Sequence, residues 1–366
     1  MPKARTHIIA GGYSAGHVTP AFALAEAAFA SRPERRVEFM GSADGVEARL
    51  VSEAGMAFTG FDVAPWAGRG GTGRLVSLAR LVPAIFAARR KLRAAGAGGL
   101  TSLGSFAALA PALAAWSLGL PVTIYESNVE PGMANRLLLR RARRLLVSRF
   151  YAPRRGHGGP APEVAGVPLR AGLRKIAAAE PSPAAGVARL LVLGGSLGDE
   201  FLNENAPGLA AGLAASAPGL EVTHQCGLGG DAEATRARYA ALGLRVTVYP
   251  FFNDIAPVLA GAHFVVTPAG AVTLHEVAAT GVPLLVVPLG TAALAHQHAN
   301  AEALRAATGC LSCTEEDWRA EELAPRVAAI LGDPACWRER SAALRAFSPE
   351  DAGARWAGRI EEDDGR

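Results

Sequence analysis

Three short segments of this 366-residue chain set glycines beside side chains able to hold an anion or a sugar. Gly11-Gly12-Tyr13-Ser14-Ala15-Gly16-His17 follows the apolar run His7–Ala10 and leads into a helical stretch from Pro20 to Phe29. The N–H groups of a helix's first turn have no partner inside the helix, so such a turn can hold an anion. Its spacing is not G-x-G-x-x-G, and His17-Val18 stands where a Walker loop needs Lys-Ser/Thr. A nicotinamide, flavin or P-loop enzyme thus loses its main support, although the segment alone also reads as an ordinary tight turn. Leu193-Gly194-Gly195-Ser196-Leu197-Gly198 repeats the device, with the Ser196 hydroxyl as an extra donor. Pro268-Ala269-Gly270-Ala271-Val272-Thr273-Leu274-His275-Glu276 is again strand, glycine, helix. A carboxylate accepts from two vicinal hydroxyls at once, which suits Glu276 to a ribose; alone it would read as a solvated helix acid. His296, Gln297 and Asn300 offer neutral partners for sugar hydroxyls. His296 and His298, two apart on a helix, diverge and make no metal site. The chain has no Asp-x-Asp to hold a metal–nucleotide pair. Diphosphate charge would therefore be met by helix ends and arginine, without a metal or other cofactor.

The elements that must position these loops alternate between short apolar strands and helices, the mark of parallel α/β sheets. Strands are expected at His7–Ala10, Val37–Met40, Val122–Tyr125 and Leu145–Ser148, then at Leu190–Leu193, Val222–Gln225, Val246–Tyr249, Phe264–Thr267 and Leu284–Val287. The Pro/Gly/Arg-rich stretch Ala152–Pro168 reads as a linker. Two domains follow: 1–160, with 340–366 packing back on it, and 161–339. The tail is helical in pattern and ends in an acidic run read as solvated. Leu103–Val122 is nearly all apolar, but Gly104, Pro111 and Gly119 favour a buried helix and strand over a membrane span. Cys226, Cys310, Cys313 and Cys336 are too few for a disulfide framework, and the pair at 310 and 313 reads as small buried residues. The N-terminus does not fit a signal peptide, so a cytoplasmic location is expected.

The net charge is only +4, but residues 1–160 hold 21 basic and 9 acidic side chains. No acid occurs between Asp62 and Glu126, where Arg74, Arg80, Arg89, Arg90, Lys91 and Arg93 interleave with Leu75, Leu78, Leu81, Val82, Ile85 and Phe86 at helical spacing. A basic, apolar helix face suits an anionic membrane surface; Leu78, Leu81, Ile85, Phe86, Arg89 and Arg90 are the residues expected there. Nucleic acid would use the same charges, but no stacking aromatics accompany them.

Taken together, the segments resemble the MurG family of glycosyltransferases, which add N-acetylglucosamine to the undecaprenyl-linked muramyl-pentapeptide. The resemblance runs in order through Gly12–Ala21, Gly45–Val51, Tyr125-Glu126-Ser127-Asn128 with Gly132 and Asn135-Arg136, and Gly166–Arg170. It continues through Gly194-Gly195-Ser196 with Leu202-Asn203, Phe251–Ile255, Gly270–Glu276 and His296–Ala301, spanning roughly residues 5 to 345. It implies a GT-B fold: two Rossmann-like domains facing a cleft, with the last helix returning to the first domain. It also implies a UDP-sugar bound by the second domain and inversion by direct displacement. By matching position, Glu276 would hold the ribose, Arg170, Gly195 and Ser196 the diphosphate, and the Phe252 backbone the uracil. Gly270, Ala271, His296 and Gln297 would face the sugar. His17, a candidate base, and Asn128 would stand on the acceptor side with Tyr13, Ser14, Gly16, Gly104 and Ser105.

The chain departs from the family pattern at Tyr13, where the family has glycine, and at Gly104–Ala110, where it has Gly-Gly-Tyr-x-Ser-Gly-Pro. It departs also at Leu197 and Asp199 in the donor loop and at Pro268-Ala269. An acid at 199 would repel a phosphate unless turned away. Bulk in both acceptor-side loops points to a UDP-hexose transferase acting on a different lipid-phosphate acceptor, as in moenomycin-type phosphoglycolipid assembly. The housekeeping peptidoglycan enzyme is the alternative, and a non-catalytic sugar-nucleotide-binding relic a further one.

Overall fold

A computed structural model of the chain describes residues 5–12, 15–64, 71–153, 158–184, 186–290, 296–348 and 352–364. Its contacts divide it into two compact units, Met1–Arg170 with Asp351–Arg366, and Ala171–Glu350.

The first unit runs β1 (Thr6–Ala10), α1 (Ala15–Ser31), β2 (Arg36–Ser42), α2 (Val46–Glu53), β3 (Phe58–Phe61), α3 (Gly71–Ala95) and β4 (Ala97–Ser102). A 3-10 turn at Phe106–Ala108 leads to α4 (Leu109–Ser117), β5 (Val122–Glu126), α5 (Met133–Leu139), β6 (Arg144–Val147) and β7 (Pro162–Val164). The sheet order is β3-β2-β1-β4-β5-β6-β7, with every pair parallel. Helices cover parallel strands on both faces, so β1 and β5 are buried throughout.

Three of these strands were not expected. β4 reads Ala97-Gly98-Gly99-Leu100-Thr101-Ser102, and its glycines hide a strand that pairing with both β1 and β5 makes central. β7 lies inside the expected linker, where it pairs with β6 as an edge. The first unit therefore extends to Arg170 rather than 160.

The second unit runs α6 (Ala171–Ala178), β8 (Arg189–Leu193), α7 (Glu200–Ala214), β9 (Glu221–Gln225), α8 (Ala232–Ala241), β10 (Val246–Tyr249) and α9 (Ala256–Gly261). It continues with β11 (Phe264–Thr267), α10 (Ala271–Thr280), β12 (Leu284–Val286), α11 (His296–Thr308), β13 (Leu311–Ser312), α12 (Ala320–Gly332) and α13 (Pro334–Phe347). The order is β10-β9-β8-β11-β12-β13, again parallel. All five strands expected here are present. Leu190, Val192, Leu209, Phe264, Val266, Leu285 and Trp337 form the core, and Trp337 Nε1 donates to the His263 carbonyl at 2.9 Å. That anchor keeps α13 with this unit, so the return to the first unit begins at 351 rather than 340.

The returning element is α14 (Ala352–Asp364). Trp356, fully buried, meets Tyr125 edge-on at a centroid distance of 4.1 Å. The acidic run expected to be solvated is instead a clasp. Asp363 is 4 % exposed; it accepts from Thr123 Oγ1 at 2.8 Å, Arg143 Nε at 3.0 Å and Arg144 Nε at 3.1 Å. Glu361 pairs with Arg32 at 3.3 Å.

Leu103–Val122 folds as the buried α4 and the start of β5, and no described helix is long and apolar enough to cross a membrane. Burial pushes the thiols of Cys310 and Cys313 up, the latter to about 11, away from the thiolate that redox or metal chemistry needs.

Candidate active site

In each sheet the strand order reverses once, between β1 and β4 and between β8 and β11. Ligands of doubly wound sheets bind outside the carboxyl ends of the strands at such a reversal. The glycine segments lie there.

In the second unit, Gly194 N donates to the Gln225 carbonyl at 2.8 Å, and Gln225 Nε2 donates to the Gly195 carbonyl at 2.8 Å. Leu228 N donates to the Ser196 carbonyl at 3.1 Å. Gly195 and Gly198 have φ of +76° and +95°, a region open to glycine at little cost. The turn after β9 presses close: a Cβ on Gly227 would lie 2.0 Å from Gly198 Cα. Asp199 then caps α7, its Oδ1 accepting from Leu202 N at 3.1 Å. It is only 2 % exposed. Burial first, then Glu315 and Glu200, pushes its carboxyl up to about 6.

Behind the loop lies a buried relay that no local pattern announced, because its members sit on three elements. Asn203 Nδ2 donates to the Cys226 carbonyl at 3.1 Å, so its Oδ1 accepts from His224 Nε2 at 3.0 Å. His224 Nδ1 must then accept from the Tyr239 hydroxyl at 2.9 Å. Burial lowers His224 to about 4, which keeps it neutral and the relay in one tautomer.

At the second loop, Gly270 is extended and precedes α10. Glu276 lies in the second turn, 6 % exposed on a helix buried nearly all round, which rules out a solvated helix acid. Gln297 does not offer its oxygen to a sugar. Its Oε1 accepts from Ala269 N at 3.0 Å and Leu289 N at 3.1 Å, while Asn300 Nδ2 donates to the Ala269 carbonyl at 3.1 Å. Gln297 thus ties together the loops that follow β11 and β12, and Asn300 holds the first of them. His296 opens α11, and burial lowers its imidazole pKa. Gly195, Ser196, Gly270 and Ala271 therefore gather at the reversal, with Glu276 on the helix that the second loop begins. Phe252 follows β10 and packs on Tyr249 at 4.9 Å. Arg170 is the last residue of the first unit.

In the first unit, Leu103 N donates to the Ala10 carbonyl at 2.8 Å, and a Cβ on Gly11 would stand 3.1 Å from Leu103 Cβ. Glu47, 2 % exposed, fills the space left by Gly12 and Gly45, where added Cβ atoms would fall 2.0 and 2.1 Å from its oxygens. Its Oε1 accepts from Ser42 N at 2.8 Å. Gly16 and His17 lie in the first turn of α1; Tyr13, Ser14 and the His17 side chain fall outside the described residues.

Gly104 and Ser105 carry φ of +88° and +61°. Ser105 is the one non-glycine residue with positive φ among the described residues, a conformation that costs of order 1–3 kcal/mol. Its Oγ accepts from Ala107 N at 3.2 Å and caps the 3-10 turn. Glu126, at the end of β5, organises the neighbouring loop, a part the sequence reading did not assign to it. Its Oε1 accepts from Asn128 N at 3.0 Å and Asn128 Nδ2 at 2.7 Å, and its Oε2 from Gly132 N at 3.0 Å and Asn135 Nδ2 at 2.9 Å.

The expected membrane face of α3 is narrower than its sequence suggested. Leu75, Leu78, Val82 and Phe86 are exposed, but Leu81 and Ile85 pack toward the core beside Ala84, Ala88 and Leu92. A helix turns 100° per residue, and its inward stripe claims those two. Arg89 instead ties down the end of α4, with Nη1 2.9 Å from the Ser117 carbonyl and 2.6 Å from its Oγ. Arg90 is exposed.

Residues 7–147 match the glycosyltransferase family 28 N-terminal domain, and residues 189–352 its C-terminal domain. The UDP-N-acetylglucosamine–N-acetylmuramyl-(pentapeptide) pyrophosphoryl-undecaprenol N-acetylglucosamine transferase of Sorangium cellulosum is 38% identical over 98% of this chain and 88% of its own length. The protein of that name from Aeromonas hydrophila is 34% identical over 96% and 95%. Crystalline Acinetobacter baumannii MurG superposes with a TM-score of 0.73 at 26% identity, covering 98% of this chain and 99% of that one. With the glycine loops at both reversals and helix α14 back on the first unit, the chain belongs to glycosyltransferase family 28, as a MurG-like enzyme of the GT-B fold.

Proposed function

We propose that the protein transfers N-acetylglucosamine from UDP-N-acetylglucosamine to the muramyl-pentapeptide carried by pyrophosphoryl-undecaprenol. The observation that carries this reading is the near-full-length similarity to transferases of that name. It favours the housekeeping alternative over the specialised acceptor that the altered loops suggested. One observation keeps the phosphoglycolipid acceptor as a second reading: Ser105 holds a left-handed backbone on the proposed acceptor side.

In the proposed reaction a hydroxyl oxygen of the acceptor sugar attacks the anomeric carbon from the face opposite the diphosphate. The new C–O bond forms as the bond to the UDP oxygen breaks, inverting the centre, and the hydroxyl proton passes to a base, for which His17 is the candidate. Gly195, Ser196 and Arg170 would meet the diphosphate and Glu276 the ribose hydroxyls. Gly270, Ala271 and His296 would face the sugar and the Phe252 backbone the uracil. No metal or other cofactor is invoked, since donor N–H groups and arginine carry the charge of the leaving group. On the acceptor side Glu126 fixes the Asn128 amide. The exposed stripe Leu75, Leu78, Val82 and Phe86, with Arg90, would rest on the anionic inner face of the cell membrane, where the lipid-linked acceptor lies.

The test is thermal stability against UDP, UDP-N-acetylglucosamine, UDP-glucose and NADH. A ligand at 100 times its Kd stabilises by about 2.7 kcal/mol. UDP species should stabilise the wild type and lose the effect in Glu276→Ala, and UDP release should depend on the muramyl-pentapeptide lipid. Stabilisation by NADH alone, or UDP binding without transfer to any acceptor, would overturn the reading.

A further inference from the structure

Asp199 differs from the other capping aspartates of its unit. Asp231 and Asp333 cap α8 and α13 from exposed positions, each taking two backbone amides on Oδ1. Asp199 is buried, spends Oδ1 on Leu202 N, and leaves Oδ2 buried without a hydrogen-bond partner. It directly follows the Gly194–Gly198 loop, and a Cβ added to Gly194 would lie 3.2 Å from the Asp199 amide nitrogen. The charged groups acting on it are both acids: Glu315, from the loop after β13, and Glu200, next on its own helix. Glu315 is held in place by Gly290 N at 2.9 Å. Arg238, on α8, is paired with Glu200 at 3.9 Å and Glu204 at 3.5 Å. The packed turn after β9 brings Cys226, a thiol kept neutral by burial.

Resting on the donor-site reading above, we propose that Asp199 couples donor binding to proton uptake: the loop takes a sugar-nucleotide diphosphate with Asp199 protonated, and donor affinity falls as the pH rises. A diphosphate brings two negative charges to a loop whose next residue is a buried carboxylate on which, among the described residues, the charged groups that act are acids. In a medium of low dielectric that repulsion is strong, and a proton taken from solvent onto Asp199 removes it. The free group already titrates at about 6, so a bound anion shifts it further up, into the neutral range. His296, lowered by burial, also lies on the proposed donor side, so the comparison of wild type with Asp199→Asn isolates the slope that belongs to Asp199.

The probe is UDP-N-acetylglucosamine, whose diphosphate diester does not itself titrate near neutrality, unlike the terminal phosphate of UDP. Its Kd is measured calorimetrically on the whole protein at pH 6.5 and 8.0, in two buffers of different ionisation enthalpy, for wild type and Asp199→Asn. Asparagine keeps the cap and removes the charge. Wild-type Kd should rise about tenfold between the two pH values, with proton uptake on binding, since one linked proton gives up to a decade per pH unit. The variant should bind more tightly than wild type at pH 8.0 and show little slope. A wild-type Kd independent of pH, or an equal slope in Asp199→Asn, overturns the proposal. If neither folded protein binds the probe at either pH, the donor-site reading itself falls, and the proposal with it.

Discussion

Asp199→Asn should stabilise the second unit at neutral pH, even though it removes a charged helix cap. In the folded protein the carboxyl titrates at about 6, against 3.8 when unperturbed. At one pKa unit to about 1.4 kcal/mol, ionising it in the folded state costs about 3 kcal/mol relative to the unfolded chain at pH 7.5. The sign follows from proton counting. The folded state holds its proton more tightly, so the penalty is full above pH 6, shrinks to about 1.6 kcal/mol at pH 5, and nearly vanishes below pH 4. Asparagine caps a helix as well as aspartate, leaving Leu202 N satisfied. The variant should therefore melt roughly 6–12 °C above wild type at pH 7.5, given 2–4 °C per kcal/mol for a unit of this size, and only slightly above it at pH 4. Urea unfolding at pH 7.5, 5.0 and 4.0, followed by circular dichroism, supplies the free energies. A difference that does not change with pH would mean that titration of Asp199 is not its source. The variant should also lose stability in acid more steeply than wild type. His224 titrates at about 4 against 6.5 when unperturbed; its contribution is whole above pH 6.5 and falls by about 3 kcal/mol as the pH drops through 4. In wild type the two terms oppose each other.

Asp363→Ala should loosen α14 from the first unit, because it removes the buried carboxylate that Arg143 and Arg144 share and leaves Arg144 only Glu163 and Glu362. A cost of roughly 2–3 kcal/mol is expected after solvent screening of the partly exposed Arg143, read as a lower melting temperature and faster hydrogen exchange in α14; unchanged exchange would refute the clasp. Glu126→Gln sets an amide against four donors from Asn128, Gly132 and Asn135. At 1–3 kcal/mol for each donor left unsatisfied, it should lower kcat by at least tenfold with the KM for UDP-N-acetylglucosamine little changed. An equal loss in donor affinity would argue for general unfolding instead.

The glycine loops after β1, β8 and β11 were legible in the sequence because short-range chemistry makes them: an apolar strand, a left-handed turn, and a helix start within a few residues. Glu276 was legible in the same way, since its place follows from counting along one helix. β4 was not, because Gly98 and Gly99 erase the apolar pattern and only pairing on both sides makes Leu100 and Thr101 a strand. Gln297 and Glu126 were visible as residues but not as clamps. What they hold, Ala269 and Leu289 in one case and Asn128, Gly132 and Asn135 in the other, is brought together only by the fold.

Periodicity and turn chemistry act over a few residues, so two doubly wound α/β halves and the glycine loops at their strand ends could be read along the chain, while the order of the matching segments carried the family resemblance. Partners distant along the chain are chosen by packing, and the tertiary structure alone decided those. It turned Asp199 inward to a buried cap, bound the acidic tail to Arg143 and Arg144, took Leu81, Ile85 and Arg89 away from the exposed face of α3, and joined His224, Asn203 and Tyr239 into one relay. Apolar side chains such as Leu81 and Ile85 follow the core, while a buried polar group such as Asp199 or His224 takes its partner from the fold and its protonation state from burial.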